Sequence, residues 1–310
     1  MHIRSLAVVI TVVFSLGFSG QATAQRDHIL VNTTWLSKHL HDPNLVLLHV
    51  GDADEYRAKH IPGARYADMD DVSVSEHTAG GLMLEMPSAP SLRERLAKLG
   101  ISDNSRVIVY YGNDWVSPST RIIFTLDYAG LGANTSLLDG GMPAWIRDGH
   151  DVTDQPAAQR VGTLAPLRIR PIVVDAAYVR EHIGKSGISI VDGRDASFYD
   201  GVPHGSSHGV DQRSGHIASA KSVPFTQVTL DILLFKSPNE LADLFTKAGV
   251  QPGDTIVGYC HVGQQATAML FAARSLGHPV LLYDGSFQDW SRLTPAASYP
   301  VENPSEKSKH

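Results

Sequence analysis

The stretch Thr255-Ile256-Val257-Gly258-Tyr259-Cys260-His261-Val262-Gly263-Gln264-Gln265-Ala266, with the apolar run over residues 267–276 behind it, decides the fold. An apolar strand stops at a cysteine, a short loop follows, and a helix begins. Strand, loop and helix in that order are the unit of an α/β layer. Ligands of open α/β sheets sit beyond the carboxyl ends of the strands, and Cys260 falls at such an end. The six positions Cys260, His261, Val262, Gly263, Gln264 and Gln265 can curl so that successive backbone N–H groups converge on an anion. The following helix aims the positive end of its dipole at the same point. Both effects favour thiolate over thiol, the form a sulfur nucleophile needs. Gly263 suits a loop position that needs positive φ or close packing.

Cys260 is the only cysteine in 310 residues. Hydrophobic residues make up 43% and charged residues 19%, globular values that fill two domains at this length. A net charge of −6 gives no reason to expect nucleic acid or an acidic membrane surface as partner. Met1-His2-Ile3-Arg4, an apolar run over residues 6–18 and the small-x-small site Ala22-Thr23-Ala24 read as a signal peptide over residues 1–24. Gln25 is then the first mature residue, in the periplasm or secreted; an uncleaved anchor or a buried first helix is the other reading. An exported chain with one cysteine forms no internal disulfide, so its thiol is either buried or used.

Working outward, the chain repeats itself once. The strand pattern Leu45-Val46-Leu47-Leu48-His49-Val50 and His60-Ile61-Pro62-Gly63-Ala64 return as Ile188-Ser189-Ile190-Val191-Asp192 and Gly215-His216-Ile217-Ala218. Asp139-Gly140-Gly141-Met142-Pro143-Ala144-Trp145 returns as Asp284-Gly285-Ser286-Phe287-Gln288-Asp289-Trp290. Matching Val109 to Val257 places Gly112 opposite Cys260 and leaves three extra residues in the first copy before the Asp-Gly motif. A repeat this long means duplicated domains: residues 28–150 and 172–296, an interdomain linker over 151–171, and a frayed polar tail over 297–310. An insertion over residues 202–212, rich in Gly, Ser and His, reads as a mobile loop. His204 and His208 with Asp211 have ligand types that suit zinc or copper, but no further ligand is at a convincing spacing. No metal and no cofactor are expected.

Both halves resemble rhodanese domains, and the chain over about residues 28–295 resembles a tandem-domain sulfurtransferase. Val191-Asp192-Gly193-Arg194, Gly215-His216-Ile217, Tyr259-Cys260-His261-Val262-Gly263 and the two Asp-Gly motifs carry the resemblance. It implies an α/β fold of two tandem domains, each a mainly parallel sheet flanked by helices, with only the second catalytic. It implies that Cys260 takes the outer sulfur of a small anionic donor, thiosulfate or mercaptopyruvate, as a persulfide. The sulfur then passes to a thiophilic acceptor, cyanide or a thiol, a protein thiol included. The loop residues His261, Val262, Gly263, Gln264 and Gln265 would hold the persulfide anion. The first domain would cover the cleft, with Asn113, Asp114, Trp115 and Ser117 facing either substrate or the domain interface.

The chain departs from the family's pattern in two places. Its loop is neither basic, as in thiosulfate-preferring relatives, nor small and neutral, as in mercaptopyruvate-preferring ones. Phe198 stands where two-domain relatives place an arginine for the donor's anionic end. Arg194 is left as a donor ligand or a structural partner of Asp192 or Asp195, and Arg213 as a residue that reaches in from the insertion. His216 is expected as a hydrogen-bonder, Trp145 and Trp290 as packing residues. Two other classes stay open. Phosphatase or arsenate reductase chemistry needs a longer cysteine loop ending in arginine, where this chain has Gln265 or Ala266. A non-catalytic sulfur carrier of the same fold would load sulfur without turning over.

Overall fold

The computed structural model describes residues 26, 28–78, 80–113, 115–204, 213–231 and 233–307. The expected leader over residues 1–24, Asp114, and the His208 and Asp211 of the insertion lie outside the described residues.

The first half carries β1 (Leu30–Val31), β2 (Leu45–Val50), β3 (Arg65–Ala67), β4 (Arg106–Tyr111) and β5 (Thr135–Leu138), a parallel sheet in the order β1-β5-β4-β2-β3. The second half carries β6 (Val173–Val174), β7 (Ile188–Asp192), β8 (His216–Ile217), β9 (Lys221–Ser222), β10 (Thr255–Tyr259) and β11 (Val280–Tyr283); all but β8 form the matching parallel sheet β6-β11-β10-β7-β9. Central strands such as β4 are buried along nearly their whole length, which is why they read as unbroken apolar runs. Helices flank both sheets. They are α1 (Thr33–His39), α2 (Ala53–Ala58), α3 (Ala89–Lys98), α4 (Val116–Tyr128) and α5 (Gly141–Arg147), then α6 (Ala176–Glu181), α7 (Ala196–Tyr199), α8 (Pro238–Lys247), α9 (Gln265–Ser275) and α10 (Ser286–Trp290). The starts match between halves: the Asn32 side chain caps α1 and the Asp175 side chain caps α6. The fold is the expected α/β one.

The halves meet along α4 and α9. Thr120 and Thr267 touch hydroxyl to hydroxyl at 2.9 Å, and Arg274 of α9 donates to Asp127 of α4 at 3.0 Å. Ile123 and Phe124 join Leu270 and Phe271 in one core that spans both halves.

Strand register corrects the pairing of the two strand ends. Tyr259 lies beside Asp192 and Tyr110 beside His49. The Tyr259 hydroxyl accepts the Ile217 amide, and the Tyr110 hydroxyl accepts the Ile61 amide. Tyr110 is therefore the counterpart of Tyr259, and Tyr111, not Gly112, stands where Cys260 stands. The match of Val109 to Val257 was one residue out of step, and one residue in a strand exchanges the two faces. The offset is 149 at the strand end, 147 at Thr120 and Thr267 on the helices, and 145 at Asp139 and Asp284. So the first copy holds four extra residues rather than three, two after β4 and two before β5, where a short 3-10 turn over Gly132–Asn134 takes them up.

The tail is ordered through residue 307 rather than frayed. β12 (Val301–Glu302) pairs antiparallel with β8, α11 (Pro304–Lys307) follows, and the Ser305 hydroxyl donates to the Asp200 carbonyl. The segment 151–171 is strapped to the first half: Thr153 bridges His60, and Gly162 donates to the Ala97 carbonyl. No helix among the described residues is long and apolar enough to cross a membrane.

Candidate active site

Cys260 directly follows β10 and is fully buried. Its amide donates to Ser286 Oγ at 3.2 Å, and that hydroxyl donates to the Tyr283 carbonyl at 2.9 Å. The Cys260 and His261 carbonyls accept the amides of Phe287 and Gln288, each at 3.0 Å. The loop is thus hung from the first turn of α10. Gly263 turns it at φ +79°, a conformation that costs a residue with a Cβ free energy. Gly193 passes beneath, where a Cβ would lie 3.1 Å from the Ala266 Cα. The amides of Val262, Gly263, Gln264 and Gln265 meet no protein acceptor among the described residues. With the N-terminus of the eleven-residue α9 behind them, they are free to hold an anion on sulfur.

The side chains around the loop sort differently from the sequence reading. Arg194 is 2% exposed and pinned: Nε donates to both Asp192 oxygens (3.0 and 3.1 Å), and Nη2 donates to Asp192 Oδ2 at 2.6 Å and the Gly215 carbonyl at 2.7 Å. Its plane lies 4.1 Å over the Phe287 ring. It is a structural partner of Asp192 rather than a donor ligand, although the Cys260 sulfur is near enough to act on its charge. Arg213 does not reach in. It donates to the carbonyls of Trp290, Ser291 and Tyr299 at 2.7, 3.1 and 2.8 Å, which closes the C-terminal end of α10.

Phe198, in the place of an arginine, is stacked on His204 at 3.9 Å and meets the edge of His261 at 4.5 Å. His216 bonds the Tyr199 carbonyl through Nδ1 at 2.7 Å and stacks on that ring. Trp145 and Trp290 are buried, and their indole N–H groups donate to the carbonyls of Asp151 and Pro300. Val262 is buried, and Gln264 Nε2 reaches Ser117 Oγ across the interface at 3.4 Å. The Asn113 amide faces Glu55 instead.

Trp115 is 52% exposed and stands 5.6 Å from the Phe225 ring. These two rings, with Leu230, Asp195, Asp231 and Gln265, line an interdomain cavity of about 350 Å³ that opens on the first turn of α9. The Gln265 Oε1 has no partner among the described residues. Among the described residues the cavity is lined by aromatic, apolar, acidic and neutral polar side chains and by no lysine or arginine.

Sequence reasoning missed four residues: Arg121, Asp284, Ser286 and Tyr111. Arg121, from the first half, is fully buried. Its Nη1 donates to the Gly263 carbonyl at 2.9 Å and to Asp284 Oδ1 at 2.8 Å, and its Nη2 donates to the Leu84 carbonyl. Asp284 Oδ2 accepts the Met86 amide. An arm of the first half, residues 80–86, therefore docks on the Asp-Gly motif of the second. Beside it, burial and then Asp284 push the Glu85 carboxyl up to about 8. One signal was available: Arg121 is a lone charge in the apolar run Ile122-Ile123-Phe124.

The strand end of the first half is closed. Tyr111 fills the cysteine position; its hydroxyl donates to the Leu233 carbonyl at 2.6 Å and accepts the Gly140 amide at 2.8 Å. Gly141, at φ +52°, is the counterpart of Ser286 at φ +53°. A Cβ there would lie 2.5 Å from the Tyr111 ring, so the tyrosine requires the glycine. Burial raises the Tyr111 hydroxyl well above its ordinary range, and it stays a neutral hydrogen-bonder.

Comparison with known proteins agrees with this architecture. The rhodanese-like domain model matches twice, over residues 32–148 and 175–293. The thiosulfate sulfurtransferase of Rattus norvegicus is 29% identical over 86% of this chain and 93% of its own length. The sulfur carrier protein TtuD of Thermus thermophilus is 29% identical over 86% of this chain and 94% of its own. Among solved structures, an EanB variant with a cysteine persulfide, in a tetrahedral intermediate state with ergothioneine, superposes with a TM-score of 0.78 at 20% identity, covering 94% of this chain and 75% of that one.

Proposed function

The chain belongs to the rhodanese-like family in both its halves, and on that premise we propose that it moves sulfane sulfur through a Cys260 persulfide. The carrying observation is the buried Cys260 at the head of a loop whose amides, from Val262 to Gln265, have no protein acceptor among the described residues. The Cys260 thiolate attacks the outer sulfur of thiosulfate or mercaptopyruvate. The donor's bond to that sulfur breaks, and sulfite or pyruvate enolate leaves with the electron pair. Cys260 is left as Cys–S–S⁻, held by the loop amides and the α9 dipole. A thiophile then attacks the outer sulfur; cyanide leaves as thiocyanate, a thiol or protein thiol as its persulfide, and the thiolate returns. The leader belongs to the same proposal: export to the periplasm or beyond, with Gln25 as the mature N-terminus, tested by N-terminal sequencing of the protein made in a bacterial host.

Intact mass spectrometry after incubation with thiosulfate or mercaptopyruvate tests the cycle. Gain of one sulfur atom is expected, reversed by cyanide and absent in Cys260→Ser. No gain with either donor overturns the donor class, and a gain that survives Cys260→Ser overturns the site. Sulfur carriage is the second reading, favoured by the likeness to TtuD: Cys260 would load yet show no multiple turnover with cyanide.

A further inference from the structure

Arg121 is a guanidinium without solvent, on a helix of the other domain, bonded to the backbone of the catalytic loop. Burying an ion costs several kcal/mol unless its hydrogen bonds are satisfied. Here Nη1 and Nη2 bond three separate segments, the Gly263 carbonyl in the loop, Asp284 in the Asp-Gly motif and the Leu84 carbonyl in the first domain's arm, while Nε meets no partner among the described residues.

The duplicated domain shows what the arrangement replaces. Leu84 and Leu233 hold equivalent places in the two arms, both at positive φ, +59° and +62°. Each turns its carbonyl toward the strand end of the opposite domain. In the closed site the Tyr111 hydroxyl, at the cysteine position, satisfies the Leu233 carbonyl. In the open site that position is Cys260, whose side chain is too short to do the same. Arg121 satisfies the Leu84 carbonyl instead, and the counterpart of Arg121 on α9 is Ala268.

Its bond to Gly263 has a direct consequence. In a trans peptide the C=O and the following N–H point in opposite directions. Holding the Gly263 carbonyl toward Arg121 turns the Gln264 N–H the other way, into the concave side of the loop. We propose that Arg121 is a positioning residue of the sulfur-transfer site: the first domain supplies the guanidinium that orients the amide nest of the second. This rests on the Cys260 persulfide reading. Arg121 does not touch the donor.

Two variants and a control test it. Arg121→Met removes the donors, Arg121→Lys keeps the charge with a different geometry, and Arg274→Met cuts the other interdomain ion pair away from the loop. In Arg121→Met, kcat is expected to fall about tenfold to a hundredfold with donor KM within about twofold, and the loaded persulfide to decay faster. Arg121→Lys recovers part of kcat, and Arg274→Met matches wild type in all three even where it lowers the melting temperature. Hydrogen exchange read by mass spectrometry on peptides over residues 260–266 gives a second measure, independent of sulfur. Faster exchange in Arg121→Met than in Arg274→Met supports the positioning role. Equal exchange and equal kcat in the two variants overturn it, leaving Arg121 a domain fastener. A wild-type protein that loads no sulfur overturns the persulfide reading alone, because the exchange comparison still decides the hold on the loop. If Arg121→Met does not fold, Arg121→Lys decides: a wild-type kcat and exchange pattern there overturns the proposal.

Discussion

The strand ends of β4 and β10 are the same construction finished in two ways. Both carry near that end a tyrosine, Tyr110 or Tyr259, whose hydroxyl takes the amide of a His-Ile segment, and both face an arm from the other domain. At β4 the next side chain is Tyr111, which fills the space and bonds the arm, with Gly141 left bare to admit the ring. At β10 the next side chain is Cys260, and Ser286 takes the place of the bare glycine to hold the Cys260 amide. One site is packed for stability. The other gives up that packing, keeps free amides, and borrows Arg121 to hold what the tyrosine would have held. If Cys260 carries the sulfur as proposed, activity rests on what is left out of the strand end as much as on the cysteine itself.

Breaking the open site gives the largest effect. Cys260→Ser is expected to lower cyanide-linked turnover by roughly 10³-fold or more with little change in melting temperature. Opening the closed site comes next. Tyr111→Cys with Gly141→Ser removes a buried ring and leaves the Leu233 carbonyl and Gly140 amide without their partner, a loss of about 3–5 kcal/mol in urea unfolding. In a Cys260→Ser background it should load no sulfur; loading there would show that the cysteine alone makes the site. The junction between the halves is expected to be weaker. Asp127→Ala leaves Arg274 and the more exposed Arg170 without their carboxylate, a cost of about 1–3 kcal/mol by the same measurement.

The arms supply the smallest effect and a pH signature. Glu85 lies among Asp284, Arg121, Asp289 and Glu76, and its folded carboxyl keeps its proton to about 8 against an ordinary 4.5. A raised folded value means stability that is whole below 4.5 and lost as pH climbs to about 8. Thermal melts of Glu85→Gln should therefore be flatter than wild type across that window, with the two diverging in favour of the variant as pH rises. Parallel curves would place the carboxyl in water and the arm off the Asp-Gly motif.

What the sequence determined by itself was local or periodic. Apolar strand runs, a helix start after the Cys260 loop, and two Asp-Gly motifs at a long offset are enough for a duplicated α/β chain, because each is a short-range steric or burial preference. The lone Cys260 before a helix was enough to propose a nucleophile on an amide nest, since strand, loop and helix are contiguous. Tertiary structure decided the rest. The counterpart of Cys260 is Tyr111 because strand register depends on which face meets the core, and a text match one residue out of step reverses it. Arg194 and Arg213 became structural because their partners, Asp192 side-chain oxygens and distant carbonyls, are met only in the folded chain. Arg121 could not be tied to the Cys260 loop from its neighbours in sequence: its hydrogen bond to Gly263 joins residues 142 positions apart, brought together by the crossing of α4 and α9.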